Sequence, residues 1–81
     1  MKFVSVLNNY QMGSYAREVL SQRIVSETRF DRYHTIVVWE IVDPFEVSLL
    51  DKVLNGRVEK VHLKIFKYKD KWLNIYTGEE M

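Results

Sequence analysis

The chain has 81 residues, 47% of them hydrophobic and 14% aromatic, with a formal net charge of +1 and no cysteine. These values fit one globular domain, 1–81, and exclude a disulfide framework, a cysteine-ligated metal and a protein that grips long DNA by charge alone. A chain this short buries only about 60% of the surface its unfolded form exposes, so a homodimer is a natural reinforcement of a thin core. The absence of cysteine fits a cytoplasmic protein.

Lys2 to Leu7 reads as a strand, with Phe3, Ser5 and Leu7 on one side and Val4 and Val6 on the other. Its apolar run is too short for a signal peptide, and Asn8-Asn9 ends it. Residues 8–13 read as a loop. Ser14 can cap a helix whose apolar positions, Tyr15, Val19, Leu20 and Ile24, follow helical spacing. Residues 23–30 fit either a continuation of that helix or a strand turned at Asp31-Arg32 into the next element.

Tyr33 to Val42 is rich in β-branched residues and apolar on both parities, as expected of a central strand covered on both faces. The run Ile36 to Trp39 stops at Glu40, far short of a membrane span, so no membrane role is expected. Asp43-Pro44-Phe45-Glu46 carries the signals of a helix start: an acceptor for the first free N–H groups, a proline in the first turn, and Glu46 able to reach back. Val47, Leu50, Val53 and Leu54 form the apolar stripe, and Asn55-Gly56 a left-handed stop. Residues 57–77 are expected to form one long hairpin, and 78–81 a frayed tail.

The predicted order is βαββαβ plus an extra C-terminal hairpin strand. It points to an α+β two-layer sandwich of ferredoxin-like order, with an irregular α+β fold as the alternative. Helices on one face would leave the other face of the sheet open to solvent or to a partner.

Charge is unevenly spread. Residues 33–56 hold Glu40, Asp43, Glu46 and Asp51 against Lys52, whereas residues 57–71 hold Arg57, Lys60, Lys64, Lys67, Lys69 and Lys71 against Glu59 and Asp70. Such an arrangement suits an anionic partner, or self-association through opposite patches. The hairpin register decides what the basic segment displays, because a slip of one residue flips every side chain. A two-residue loop at Asp70-Lys71 would set Lys67 and Asn74 among core residues. A three-residue loop, Lys69-Asp70-Lys71, sorts the residues cleanly and is the register expected. It gives an aliphatic side of Val61, Leu63, Ile65, Leu73 and Ile75, and an aromatic-basic side of His62, Lys64, Phe66, Tyr68, Trp72 and Tyr76.

A face of that kind can bind single-stranded RNA, with rings stacking on bases and ammonium groups tracking phosphates. Lys60, His62, Lys64, Phe66, Lys67, Tyr68, Lys69, Lys71, Trp72 and Tyr76 are the candidate contact residues. The same pattern also serves a hairpin with no ligand, since aromatic pairs stabilise strands and lysines protect edges. There is no RNP-type motif, GXXG loop or zinc knuckle.

His62, between Lys60 and Lys64, has the chemistry of a ribonuclease base, but no second acid accompanies it; His34 reads as a surface or edge residue. No metal-ligand spacing and no glycine-rich phosphate loop occurs, so neither metal nor cofactor is expected. The leading reading is a small non-enzymatic regulatory protein that works by binding RNA through the hairpin. The alternative is an inhibitor or antitoxin-type neutraliser that meets an acidic protein surface, and a small ribonuclease ranks third.

Overall fold

A computed structural model of the protein describes residues 1–8 and 20–81. Ser14, Tyr15 and Val19 of the expected first helix lie outside the described residues, as does most of the loop before it. Leu20, from the same stripe, is buried in the core, and Ile24 packs against it. The described elements are β1 (Lys2–Asn8), a 3-10 turn (Ser21–Arg23), β2 (Ile24–Arg29), β3 (His34–Glu40), α1 (Pro44–Val53), β4 (Glu59–Val61), β5 (Ile65–Tyr68) and β6 (Lys71–Asn74). The fold is mixed α+β. No helix among the described residues is long and apolar enough to cross a membrane.

Of the two readings open for residues 23–30, the strand is the one observed. Asp31 accepts hydrogen bonds from the N–H groups of Tyr33 (2.8 Å) and His34 (2.7 Å), an Asx-type turn that returns β2 into β3. Strands β2-β3-β1-β4 form one sheet in that spatial order, each neighbour antiparallel. β3 lies inside it, and its two parities feed two separate clusters. Val37 and Trp39 join Phe3, Leu50 and Leu54 on the helix side; Ile36 and Val38 join Val4 on the other. The Trp39 indole N–H donates to Ser5 Oγ at 2.9 Å, which satisfies two buried polar groups on the helix side.

α1 forms where the sequence announces it. The Asp43 carboxylate accepts from the Phe45 N–H at 2.9 Å and Pro44 occupies the first turn. Glu46 does not close the expected reciprocal cap; its carboxylate accepts from Arg23 Nε at 3.2 Å, tying the helix start to the entry of β2. At the other end the Gly56 N–H reaches the Asp51 carbonyl and the Asn55 N–H reaches that of Lys52, a Schellman stop with Asn55 at φ 55° and Gly56 at φ 77°.

The second sheet face is covered, which corrects the expectation of a two-layer sandwich with one open face. Residues 57–77 do not form one hairpin. β4 pairs with β1 for only three residues, the chain bends at 62–64, and β5 and β6 then pair as a separate hairpin across the other face. Phe66, Leu73 and Ile75 pack there against Val4, Ile36 and Val38. Burying one such side chain is worth about 1.5–3 kcal/mol, so leaving this face wet would forfeit a large share of a small domain's stability. The bend also resets the parity: Val61 and Phe66, five residues apart, both point inward. Leu63, between them, is exposed.

Residues 78–81, expected to fray, lie back along β6. The Asn74 N–H donates to the Glu79 carbonyl (2.9 Å) and the Met81 N–H to the Trp72 carbonyl (2.8 Å). Gly78 makes this return: its φ is 73°, and a Cβ there would stand 2.7 Å from Phe30 Cβ.

Candidate nucleic-acid interface

The β5–β6 loop is two residues, Lys69-Asp70, both with positive φ (48° and 66°), so the pairs are Tyr68↔Lys71, Lys67↔Trp72, Phe66↔Leu73 and Ile65↔Asn74. Two left-handed residues in sequence are the requirement of a type I′ hairpin, whose twist matches that of its strands. The expected three-residue loop is therefore corrected by one position, and the aromatic-basic side is not one face.

Phe66 points inward and is 4% exposed. Tyr68 is half-buried, edge-on to Phe30 with ring centroids 5.6 Å apart. Tyr76 lies beyond β6, half-buried, its backbone carbonyl accepting from Thr28 Oγ1 at 2.7 Å. The Lys2 ammonium sits 5.4 Å from the Tyr76 ring centroid. A hydrogen bond with the Tyr76 side chain raises the Lys2 pKa above the ordinary lysine value, against an opposing push from desolvation. Three of the four rings are thus withdrawn into packing or held by another side chain. Trp72 remains, half exposed, on the outer face opposite Lys67.

The lysines stay outside. Lys60, Lys64, Lys67, Lys69 and Lys71 are all exposed, as is His62. Lys69 Nζ lies 5.4 Å from the Tyr68 ring centroid, and Lys71 Nζ is 3.9 Å from a Glu80 carboxylate oxygen brought there by the returning tail. The tail thus places acid on the β6 side, and the less opposed positive charge lies on the β5 side around Lys64, Lys67 and Lys69. Lys60 and His62, on β4 and the bend after it, belong to the central sheet's edge and not to the hairpin's outer face.

An open cavity of about 400 Å³ lies where β5 meets β1. Val4, Val6, Phe66 and Tyr68 contribute to its walls, and Arg57 and Lys67 bring positive charge to its lining. Arg57 was counted in the basic segment but not among the contact residues. Its position follows from the left-handed turn at Asn55-Gly56, which returns the chain from α1 toward β1. Among the described residues no group of three His, Cys, Asp or Glu side chains is gathered as a metal site. Compared with family models, curated proteins and solved structures, the chain matches none of them.

Proposed function

We propose that the chain is a small non-enzymatic binding protein whose hairpin takes single-stranded RNA on its outer, β5-side surface. The observation that carries this reading is the cross-strand pair of Lys67 and half-exposed Trp72, set among the exposed Lys64, Lys69 and Lys71. Lysines supply phosphate contacts whose strength falls with salt, and one tryptophan supplies a stacking platform worth about 1–3 kcal/mol. With Phe66 and Tyr68 turned inward, phosphate contact is the larger part of the proposed affinity.

We also propose that the frame beneath the hairpin is ferredoxin-like. Its support is the spatial order β4-β1-β3-β2, antiparallel throughout, with α1 joining β3 to β4.

Fluorescence anisotropy of a labelled oligouridine, titrated at several salt concentrations, tests the RNA reading. Lys67→Ala with Lys69→Ala should weaken binding and flatten the salt dependence by about 1.4 in log–log slope, at about 0.7 per lost contact. Trp72→Ala should weaken binding about 5- to 150-fold and leave that slope unchanged. A folded wild-type protein that ignores the oligonucleotide at low salt would overturn the RNA reading. The same surface would then be assigned to an acidic protein partner, for which an exposed tryptophan ringed by lysine is an apt anchor.

A further inference from the structure

β1 runs to Asn8, but β4 pairs only with Lys2, Phe3 and Val4, and the cavity lies beside the stretch of β1 that β4 does not reach. The ladders fix which backbone groups face it. The Ile41 N–H donates to the Met1 carbonyl at 2.9 Å, so in the β1–β3 register Phe3, Ser5 and Leu7 exchange their hydrogen bonds with β3. Lys2, Val4 and Val6 turn theirs the other way, and the first two meet Val61 and Glu59 there. Val6 would meet Arg57 in the same register. The Arg57 N–H instead donates to the Leu54 carbonyl at 3.1 Å behind α1, and no backbone group among the described residues takes up the Val6 N–H or C=O on this side. Asn8, next on the edge, already has an interaction.

On β5 the phase is set by Ile75, whose N–H donates to the Lys64 carbonyl. Phe66 and Tyr68 therefore bond to β6, and the Lys67 N–H and C=O face away from it. Val6 and Lys67 both line the cavity. One residue with its N–H and C=O on one side is too short a ladder for a strand. It does match the edge of a nucleobase, which sets a donor beside an acceptor, as the imide edge of uracil does.

The rest of the lining suits the rest of a nucleotide. Its volume, about 400 Å³, falls within the range of ligand pockets, about 300–1,000 Å³. Tyr68 and His34, both half-buried, bring rings to it beside Phe66. Exposed Arg57 and Lys67 stand against one acid, Glu59, and a guanidinium matches the geometry of a phosphate. We infer that the cavity takes one nucleotide of a single-stranded RNA, its base edge on the Val6 backbone and its phosphate on Arg57. This rests on the RNA reading of the hairpin, whose Lys67 belongs to both surfaces.

Nuclear magnetic resonance of the nitrogen-15-labelled protein, titrated with uridine 5′-monophosphate and separately with uridine, tests it. Both ligands should shift the Val6 and Lys67 amide signals in a saturable way. Arg57→Ala should raise the dissociation constant of the monophosphate about tenfold, the loss of one charge-assisted contact, and leave that of uridine unchanged. Arg57→Lys should recover part of the loss. A Val6 amide that stays in place at millimolar monophosphate would overturn the inference. So would shifts confined to Trp72 and its neighbours, or an Arg57→Ala variant that binds the monophosphate like wild type. Oligouridine that binds the folded protein without moving the Val6 amide would overturn the cavity site alone and leave the RNA reading of the hairpin standing. Monophosphate binding at Val6 and Arg57 without any binding of oligouridine would do the reverse, leaving the cavity as a site for a free nucleotide.

Discussion

α1 and the β5–β6 hairpin do the same work on opposite faces of one sheet, yet they depend on the sequence in different ways. α1 is specified by signals at its own ends, and each acts within a few residues: the Asp43 cap, Pro44 in the first turn, the Asn55-Gly56 stop. A shift of one residue in its assignment would still leave Leu50 and Leu54 facing the sheet. The hairpin has no such tolerance. Its loop is Lys69-Asp70, and a turn longer by one residue would put Phe66 and Leu73, now paired on the buried side, on opposite faces. Helices forgive small errors of register and strands do not.

The largest expected effect sharpens that contrast. Phe66→Ala should cost about 3–5 kcal/mol in urea denaturation, the range for truncating a buried phenylalanine, because Phe66 packs in the cluster with Ile36, Val38 and Ile75. Trp72→Ala, on the outer face, should cost far less despite removing a larger ring. With the hairpin turned the other way the order would reverse. Equal losses from the two substitutions would point to the three-residue loop, in which Phe66 and Trp72 share one face.

A smaller effect is expected at α1. Asp43→Ala should cost about 0.5–2 kcal/mol, since it removes the acceptor of the Phe45 N–H and leaves the remaining turn intact. The measurement is a shift of the denaturation midpoint at unchanged slope. No shift at all would show that the carboxylate is dispensable to the helix start, and that Pro44 and the Arg23–Glu46 pair fix it instead.

The same contrast explains what was legible beforehand. The central strand could be read because Ile36, Val37, Val38 and Trp39 are apolar on both parities, and only a strand covered twice has a use for that. What covers the second face was harder to see. The bend at 62–64 carries no glycine or proline, so residues 57–68 resemble one uninterrupted strand, and alternation counted through the bend comes out wrong after it. The turn was equally quiet: Lys69 takes a positive φ that its side chain does not favour, and it does so because the packing of Phe66 and Leu73 requires that register. Of the candidate interface, the lysines were legible because their exposure survives either register. The aromatic partners were not, because theirs depends on it.

The smallest effect belongs to the β2–β3 turn, where local chemistry fixes the strand register that the hairpin leaves to packing. Partial burial acts to raise the Asp31 pKa, but hydrogen bonds from the Tyr33 N–H, the His34 ring and the His34 N–H outweigh it and hold the carboxyl below its usual 3.8. The unfolded chain therefore binds this proton at a higher pH than the folded chain does. The contribution to stability is fully present above the ordinary carboxylate range and is lost as pH falls through the folded value. Asp31→Asn retains an oxygen acceptor for the two backbone N–H groups and removes the charge. Denaturation midpoints measured downward from pH 5 should fall less steeply for the variant than for wild type, while the two curves run parallel above pH 5. Parallel curves throughout would mean that the turn is held by its hydrogen-bond geometry alone. In that case the attraction between the Asp31 carboxylate and the His34 ring, 3.0 Å apart, adds nothing to the register it accompanies.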